Sequence, residues 1–210
     1  MAAALALALS FFWTTSSGWV LRRLHVKPES LAAAVSTQIV GNVVVVASGV
    51  VFLLGSEGSL VHFSRIPDGH DAAVALLGIV VAAPGSVWLA RLVRREVAPI
   101  ELEIRQLALP RRIVTLAFVP LTEELIWRGV TSGALVALGA PFGLAVMASG
   151  VLGVLAHANA FTVQGLLRGV APSSVGISVA YYYTRNLWVA VLVHLAADLE
   201  ILFPVATGGR

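Results

Sequence analysis

Three ionisable side chains lie close together inside an otherwise apolar stretch of this chain. Glu123, Glu124 and Arg128 are flanked by residues 113–121 and 129–138, and neither flank carries a charge. An ionisable side chain within a membrane costs roughly 2.5–3.5 kcal/mol on insertion scales, so this cluster indicates a function. On a helix Glu124 and Arg128 share one face, whereas Glu123 is rotated by about 100° from its neighbour. We predict that Glu124 and Arg128 organise a site and that Glu123 is its general base, although the two glutamates could exchange roles.

Two later apolar stretches each carry one histidine. His194 and Asp198 are four residues apart, so the carboxylate could hold one imidazole nitrogen and direct the other into a cavity. His157 stands alone on its stretch. Together with Glu123, the two histidines could bind Zn²⁺ with a position left open, which would make a hydrolytic site. The His-Glu-x-x-His pattern of soluble zinc proteases is absent from the chain. A buried salt bridge with structural histidines is the simplest alternative.

The composition indicates the elements that must position these residues. Hydrophobic residues make up 58% of the chain and charged residues 12%, against about 25% charged residues in soluble domains. The chain has no cysteine, which excludes disulfides and thiolate metal sites. We therefore predict an all-α, polytopic transmembrane bundle of about seven spanning helices, each near the ~20 residues that a bilayer requires. The predicted stretches are 3–20, 31–55, 71–91, 112–137, 142–160, 164–184 and 187–203.

Charge is distributed unevenly between the predicted connections. Basic residues concentrate at 22–27 and 91–112, whereas the connection between these two, 55–71, is acidic. This positive-inside pattern places the N-terminus outside and the C-terminus in the cytoplasm. The basic charge therefore indicates contact with membrane lipids rather than nucleic acid, and no aromatic residue interleaves the arginines. Residues 99–109 are expected to form a short amphipathic helix on the cytoplasmic surface, ended by Pro110.

The chain divides into three predicted parts. Residues 1–107 would hold the N-terminal transmembrane helices and their basic cytoplasmic connections, 108–204 a catalytic core of four helices, and 205–210 a short cytoplasmic tail. The first apolar segment is expected to be retained as a helix rather than removed as a signal peptide, because no basic residue precedes it.

The spacing of the polar residues resembles one family. Glu123-Glu124-Leu-Ile-Trp-Arg128, followed by His157 and then by His194-x-x-x-Asp198, is similar to the CAAX-protease and bacteriocin-processing family of glutamic-type intramembrane proteases. Members carry Glu-Glu-x-x-x-Arg, Phe-x-x-x-His and His-x-x-x-Asn or Asp on successive helices. The resemblance covers about residues 108–204.

This resemblance implies an endopeptidase without a cofactor. Glu123 and His157 would activate water, His194 with Asp198 would stabilise the oxyanion or position the substrate, and the glutamate–arginine pair would hold the site together. The chain departs from the family at Gly153, where members have phenylalanine.

The resemblance also implies a partner and a location. The expected substrate is a membrane-associated or lipidated peptide or protein, and the expected location is the bacterial cell membrane, with the site open to the cytoplasm. Three alternatives remain open. They are a zinc-dependent protease, a non-catalytic scaffold or toxin-immunity protein of the same family, and a proton- or ion-coupled transporter.

Overall fold

The computed structural model describes residues 8, 43–44, 46–47, 49, 66–93, 107–158, 163 and 166–199. These residues are almost entirely helical, with no strand among them, which confirms the all-α prediction. The segments with described bounds are α1 (Gly69–Val93), α2 (Leu109–Glu124), π1 (Leu125–Thr131), α3 (Ser132–Ala137), α4 (Phe142–Ala156), π2 (Leu166–Val170), α5 (Ala171–Thr184) and α6 (Leu187–Asp198).

Five of the predicted stretches coincide with these helices. The stretches at 3–20 and 31–55 lie almost wholly outside the described residues, as do the basic connection at 22–27, most of the surface helix at 99–109 and the tail. No helix within the described ranges is long and apolar enough to cross a membrane. The count of seven spanning helices therefore stays a prediction.

Prolines mark the beginning of two of the helices. Pro110 lies in the first turn of α2 and so starts a helix here, because its missing N–H is one that the first turn leaves unpaired anyway. Pro141 immediately precedes α4 and forms its N-cap. Pro120 lies buried inside α2 and cannot donate a backbone hydrogen bond.

The helical winding changes immediately after the two glutamates. Residues Leu125–Thr131 form a π-helix, and the N–H of Ser132 reaches back to the carbonyl oxygens of Trp127 and Gly129. Such π-segments occur mostly as single wide turns inside α-helices, frequently at functional sites. Arg128 lies within this wide turn.

Helix α6 occupies the centre of the described bundle. It packs against α1, α2 and α5, and it also contacts π1. A glycine permits the approach of α1, because a Cβ added at Gly78 would lie 2.5 Å from Cγ2 of Val193. The buried core around α6 combines Tyr181 from α5 with Val146 from α4 and Ala190 from α6. The helix that carries His194 is therefore enclosed by its neighbours.

A buried polar pair fixes the start of α6. Asn186 is the N-cap, and its Oδ1 accepts the N–H of Trp188 at 3.0 Å. Its Nδ2 donates to Oδ2 of Asp71 at 2.9 Å, and both side chains are fully buried. Asp71 belongs to the first turn of α1, so this contact joins α1 to the helix that bears the site histidine.

Loss of this pair is expected to destabilise the bundle. Asn186→Ala removes a cap and the donor to a buried carboxylate, and we expect it to lower the free energy of unfolding by about 1–3 kcal/mol. Asn186→Ser restores a capping hydroxyl but is too short to reach Asp71, so it should fall between the alanine variant and the wild type. Thermal unfolding in detergent measures the series. An alanine variant as stable as the wild type would contradict this role.

Candidate active site

The most buried part of the site is one carboxylate oxygen shared by two partners. Glu124 ends α2 and has no exposed surface. Its Oε1 accepts from Nη1 of Arg128 at 3.1 Å and lies 2.7 Å from Nδ1 of His194. The carboxylate thus neutralises the arginine and orients the histidine ring at the same time. The residues that the sequence analysis assigned to an organising pair lie in contact.

Two serines hold the other side of the guanidinium. Nη2 of Arg128 donates to the carbonyl oxygen of Ser174 at 3.0 Å, to Oγ of Ser174 at 2.9 Å and to Oγ of Ser178 at 3.2 Å. Oγ of Ser174 in turn donates to the carbonyl oxygen of Gly150 on α4 at 3.0 Å. A Cβ at Gly150 would lie 2.6 Å from Oγ of Ser178, so only glycine allows α4 and α5 to approach this closely.

The sequence analysis missed both serines. The available signal was their four-residue spacing, which puts two hydroxyls on one face of a helix that has no charged residue.

Glu123 faces the two imidazoles. Its Oε1 lies 3.9 Å from Nε2 of His157, and its Oε2 lies 3.9 Å from Nε2 of His194. The Glu123 side chain is 22% exposed, in contrast to the fully buried Glu124. The carboxylate next to solvent is therefore the one that approaches both histidines, and the buried one supports the site from behind.

His157 has a defined orientation at the end of α4. It forms the C-cap of that helix, and its Nδ1 lies 2.8 Å from the carbonyl oxygen of Gly153. A carbonyl can only accept, so Nδ1 carries the proton of this hydrogen bond. In the neutral ring Nε2 is then an acceptor, and it lies 3.9 Å from Oε1 of Glu123.

His194 is held differently from the sequence prediction. The sequence indicated that the Asp198 carboxylate could hold one nitrogen of the ring and direct the other into a cavity. In the structure, the shortest contact of the ring is the one between Nδ1 and Oε1 of Glu124, at 2.7 Å. Asp198 lies at Nε2 instead, with its Oδ2 at 3.5 Å. The packing of α6 against α2 and π1 brings Glu124 to the inner nitrogen, which spacing along α6 alone could not indicate. Asp198 therefore borders the nitrogen that faces Glu123.

The space left by the unusual Gly153 is filled by another aromatic side chain. A Cβ at Gly153 would lie 3.4 Å from the indole ring of Trp127, which is 2% exposed and packs beside Leu152 and Ala156. The indole therefore occupies volume beside the backbone that binds His157. Packing from π1 thus compensates for the missing side chain on α4.

This arrangement predicts the effect of a larger residue at position 153. Gly153→Phe forces a ring into the volume of Trp127 and should destabilise the protein by roughly 1–3 kcal/mol, as overpacking does. Gly153→Ala makes only ordinary van der Waals contact and serves as the matched control. Trp127→Ala combined with Gly153→Phe should recover part of the loss in thermal unfolding. A phenylalanine variant as stable as the alanine variant would show that the volume is not filled.

The zinc alternative requires closely spaced donors. Within the described ranges, the only group of three such side chains whose ligand atoms all lie within 4.8 Å of one another is Asp68, His70 and Asp71, at the start of α1. Asp68 and Asp71 already accept hydrogen bonds from each other's backbone N–H groups, as residues that begin a helix do. Glu123, His157 and His194 do not form a second such group within these ranges.

Fold and site together define a class: a helical protein with a buried glutamate–arginine pair and a second glutamate facing two histidines, which is suited to hydrolysis. Residues 105–199, a little under half of the chain, match the family model described as Type II CAAX prenyl endopeptidase Rce1-like. The match confirms the resemblance seen in the motifs. It covers α2 to α6 and leaves α1 outside. No curated protein and no solved structure was found to match. That family consists of membrane proteases, which supports a peptidase and a membrane location for this chain at this coarse level.

Proposed function

We propose that the chain is an intramembrane endopeptidase that hydrolyses membrane-associated or lipidated substrates with water activated by Glu123 and His157. One observation carries this proposal, namely the position of the Glu123 carboxylate opposite Nε2 of both His157 and His194, 3.9 Å from each. The convergence of these groups favours a catalyst over a scaffold. The departure from the family at Gly153 could mark a non-catalytic scaffold, but Trp127 packs against this glycine, which supports an intact site.

The spacing of the two acceptors suits a bound water molecule. A water that donates one O–H to each acceptor at ordinary hydrogen-bond lengths requires the acceptors to be roughly 4 Å apart. Oε1 of Glu123 and Nε2 of His157 are separated by 3.9 Å. Such a water directs its oxygen lone pairs away from both groups and towards an incoming carbonyl carbon.

The proposed reaction has two steps. The water oxygen forms a bond to the carbonyl carbon while one water proton passes to Glu123, which gives a tetrahedral intermediate with an oxyanion. Glu123 then returns the proton to the amide nitrogen as the C–N bond breaks. The products are a carboxylic acid and an amine, and Glu123 is again ionised. No step requires a cofactor.

His194 is proposed to stabilise the oxyanion. Glu124 fixes its ring through Nδ1, so Nε2 is held towards the region next to Glu123. A proton on Nε2 would be donated to the developing negative charge, which is where preorganised donors contribute most to catalysis. Asp198 at 3.5 Å would favour the protonated ring and align it.

The surface of the described helices supports a location in the membrane. Large apolar side chains are exposed on α1, α2, α4 and α5, among them Leu76, Leu77, Val80, Val81, Ile113, Val114, Phe118, Leu144, Met147, Val151, Leu155 and Val175. Several charged and hydroxyl groups are buried instead, among them Asp71, Glu124, Arg128 and Ser178. Contiguous apolar surface of this kind fits lipid better than water.

We further propose that the N-terminus lies outside and that the site opens to the cytoplasm, as the basic connections indicate. The proposed partners are membrane lipids and a membrane-anchored peptide or protein, without nucleic acid.

A cleavage assay tests the function. The purified protein in liposomes would be given a farnesylated peptide with a C-terminal Cys-aliphatic-aliphatic-X sequence and the same peptide without the prenyl group. Each would be tested with and without a zinc chelator. We expect cleavage of the prenylated peptide that persists in chelator. Loss of cleavage in chelator with recovery on added Zn²⁺ would establish the zinc alternative, and no cleavage across a broad peptide panel would favour the scaffold.

A further inference from the structure

We infer that Ser174 and Ser178 on α5 are positioning residues that hold Arg128, and through it Glu124 and His194, in the geometry that hydrolysis requires. This inference rests on the proposed function, because it assigns the serines to the same reaction. Neither serine touches the reacting atoms. They act at one remove, by anchoring the arginine that contacts the buried carboxylate.

The guanidinium is fixed from two directions. Nη1 of Arg128 donates to Glu124, while Nη2 donates to both serines and to a backbone carbonyl. A guanidinium keeps its charge and has a planar set of five donors, so anchoring one amino group restricts the other. The side chain is 3% exposed, which leaves little room for water to replace a lost partner. The position of Nη1 therefore depends on the serines.

The hydroxyl of Ser174 is committed to this contact. A serine inside a helix often bonds the carbonyl four residues earlier, as Ser173 does with Gly169 at 3.2 Å. Ser174 instead donates its single proton to Gly150 on α4 and uses its lone pairs to accept from Arg128. This bond places the hydroxyl in an acceptor orientation towards the arginine. Adjacent serines on one helix thus have different partners.

A displacement of the arginine would reach the reacting groups. Oε1 of Glu124 is shared between Nη1 of Arg128 and Nδ1 of His194, at 3.1 and 2.7 Å. If the guanidinium moved, this carboxylate would follow it or lose a charged partner. The ring of His194 would then turn, and its Nε2 would leave the position 3.9 Å from Glu123. Small displacements of this kind reduce catalysis more than they reduce substrate binding.

The test compares Ser174→Ala, Ser178→Ala and the double variant with Ser173→Ala. Nitrogen NMR of labelled histidine reports the state of both His194 nitrogens in the full chain. We expect the double variant to shift these resonances. We also expect it to lower kcat on the farnesylated peptide roughly 10- to 100-fold, the loss associated with one charged hydrogen bond, with KM unchanged. Ser173→Ala should resemble the wild type in both readouts.

Either readout can overturn the inference. His194 resonances and kcat equal to the wild type in the double variant would show that the serines do not position Arg128. If the double variant does not fold, the single variant Ser178→Ala takes its place, because it removes only the longest contact of Nη2, at 3.2 Å. The His194 resonances and kcat of that variant then test the inference in the same way. If the wild type cleaves no peptide, the proposed function fails. The NMR comparison then still shows whether the serines position His194.

Discussion

Replacement of Glu123 by glutamine is expected to lower kcat by about 1,000-fold or more without disturbing the helical fold. General acid–base groups contribute roughly 10²–10⁴-fold to a rate, and an amide of the same shape cannot take a proton from water. The fold should tolerate the change, because the contacts of Glu123 with His157 and His194 are both 3.9 Å long and lie beyond hydrogen-bond distance. Single-turnover cleavage of the farnesylated peptide measures the loss, and circular dichroism checks the fold.

Asp198→Asn is the matched control for this variant. It also replaces a carboxylate by an amide near Nε2 of His194, at 3.5 Å rather than 3.9 Å. Asparagine is common at this position in the family that the motifs resemble, so we expect a loss below about tenfold. Equal losses in both variants would mean that charge around His194, rather than a base at Glu123, controls the rate. Full activity of Glu123→Gln would refute the mechanism.

Arg128→Leu is expected to cause the largest loss of stability, about 3–5 kcal/mol. The substitution leaves the fully buried carboxylate of Glu124 without its cationic partner, and an unpaired buried charge is more costly than the pair is favourable. It also removes the donor to Ser174 and Ser178 on α5. Denaturation in detergent micelles, followed by helical circular dichroism, measures the difference from the wild type.

The double variant Glu124→Leu/Arg128→Leu separates the effect of the unpaired buried charge from the effect of the lost hydrogen bonds. Because it removes both charges, we expect it to be more stable than Arg128→Leu alone, although it still lacks the partner of His194. A single variant with wild-type stability would contradict the assigned role of the pair. A double variant less stable than the single would show that hydrogen bonds to α5 and α6, rather than the charge, dominate the loss.

Much of the helical layout follows from hydropathy and helix-terminal residues. The predicted stretch 142–160 contains Phe142–Ala156, and 187–203 contains Leu187–Asp198, each beginning at the same residue as the observed helix. Pro141 and Asn186 mark these beginnings in the sequence because of their backbone geometry and capping ability. The stretch 142–160 runs past the observed end of its helix at Ala156, since the apolar composition continues past the point where helical hydrogen bonding stops.

The site was only partly predictable for a related reason. The contact of Glu124 with Arg128 spans four residues on one helix, so spacing alone indicates it. The contacts of Arg128 with Ser174 and Ser178 span 46 and 50 residues, and no local pattern encodes which faces of two distant helices meet. The packing of Trp127 against Gly153 likewise depends on the volume between two helices, which the local sequence does not indicate. The sequence therefore indicated the charged residues of the site but not the serines and the tryptophan that pack against them or bind them.

The π-helix at Leu125–Thr131 has a consequence for how the chain length here can vary. A π-segment accommodates one residue more than regular α-helical winding over the same rise, so it behaves as a one-residue insertion. Removing one residue from this segment would convert the wide turn to regular α-helical winding and would leave the helices before and after it on nearly the same faces, because the wide turn holds one residue more for the same rotation. A deletion between Glu124 and Arg128 would nevertheless change the four-residue spacing of the buried pair. We therefore expect a change in chain length at this point to be compatible with the helical bundle but not with the glutamate–arginine contact.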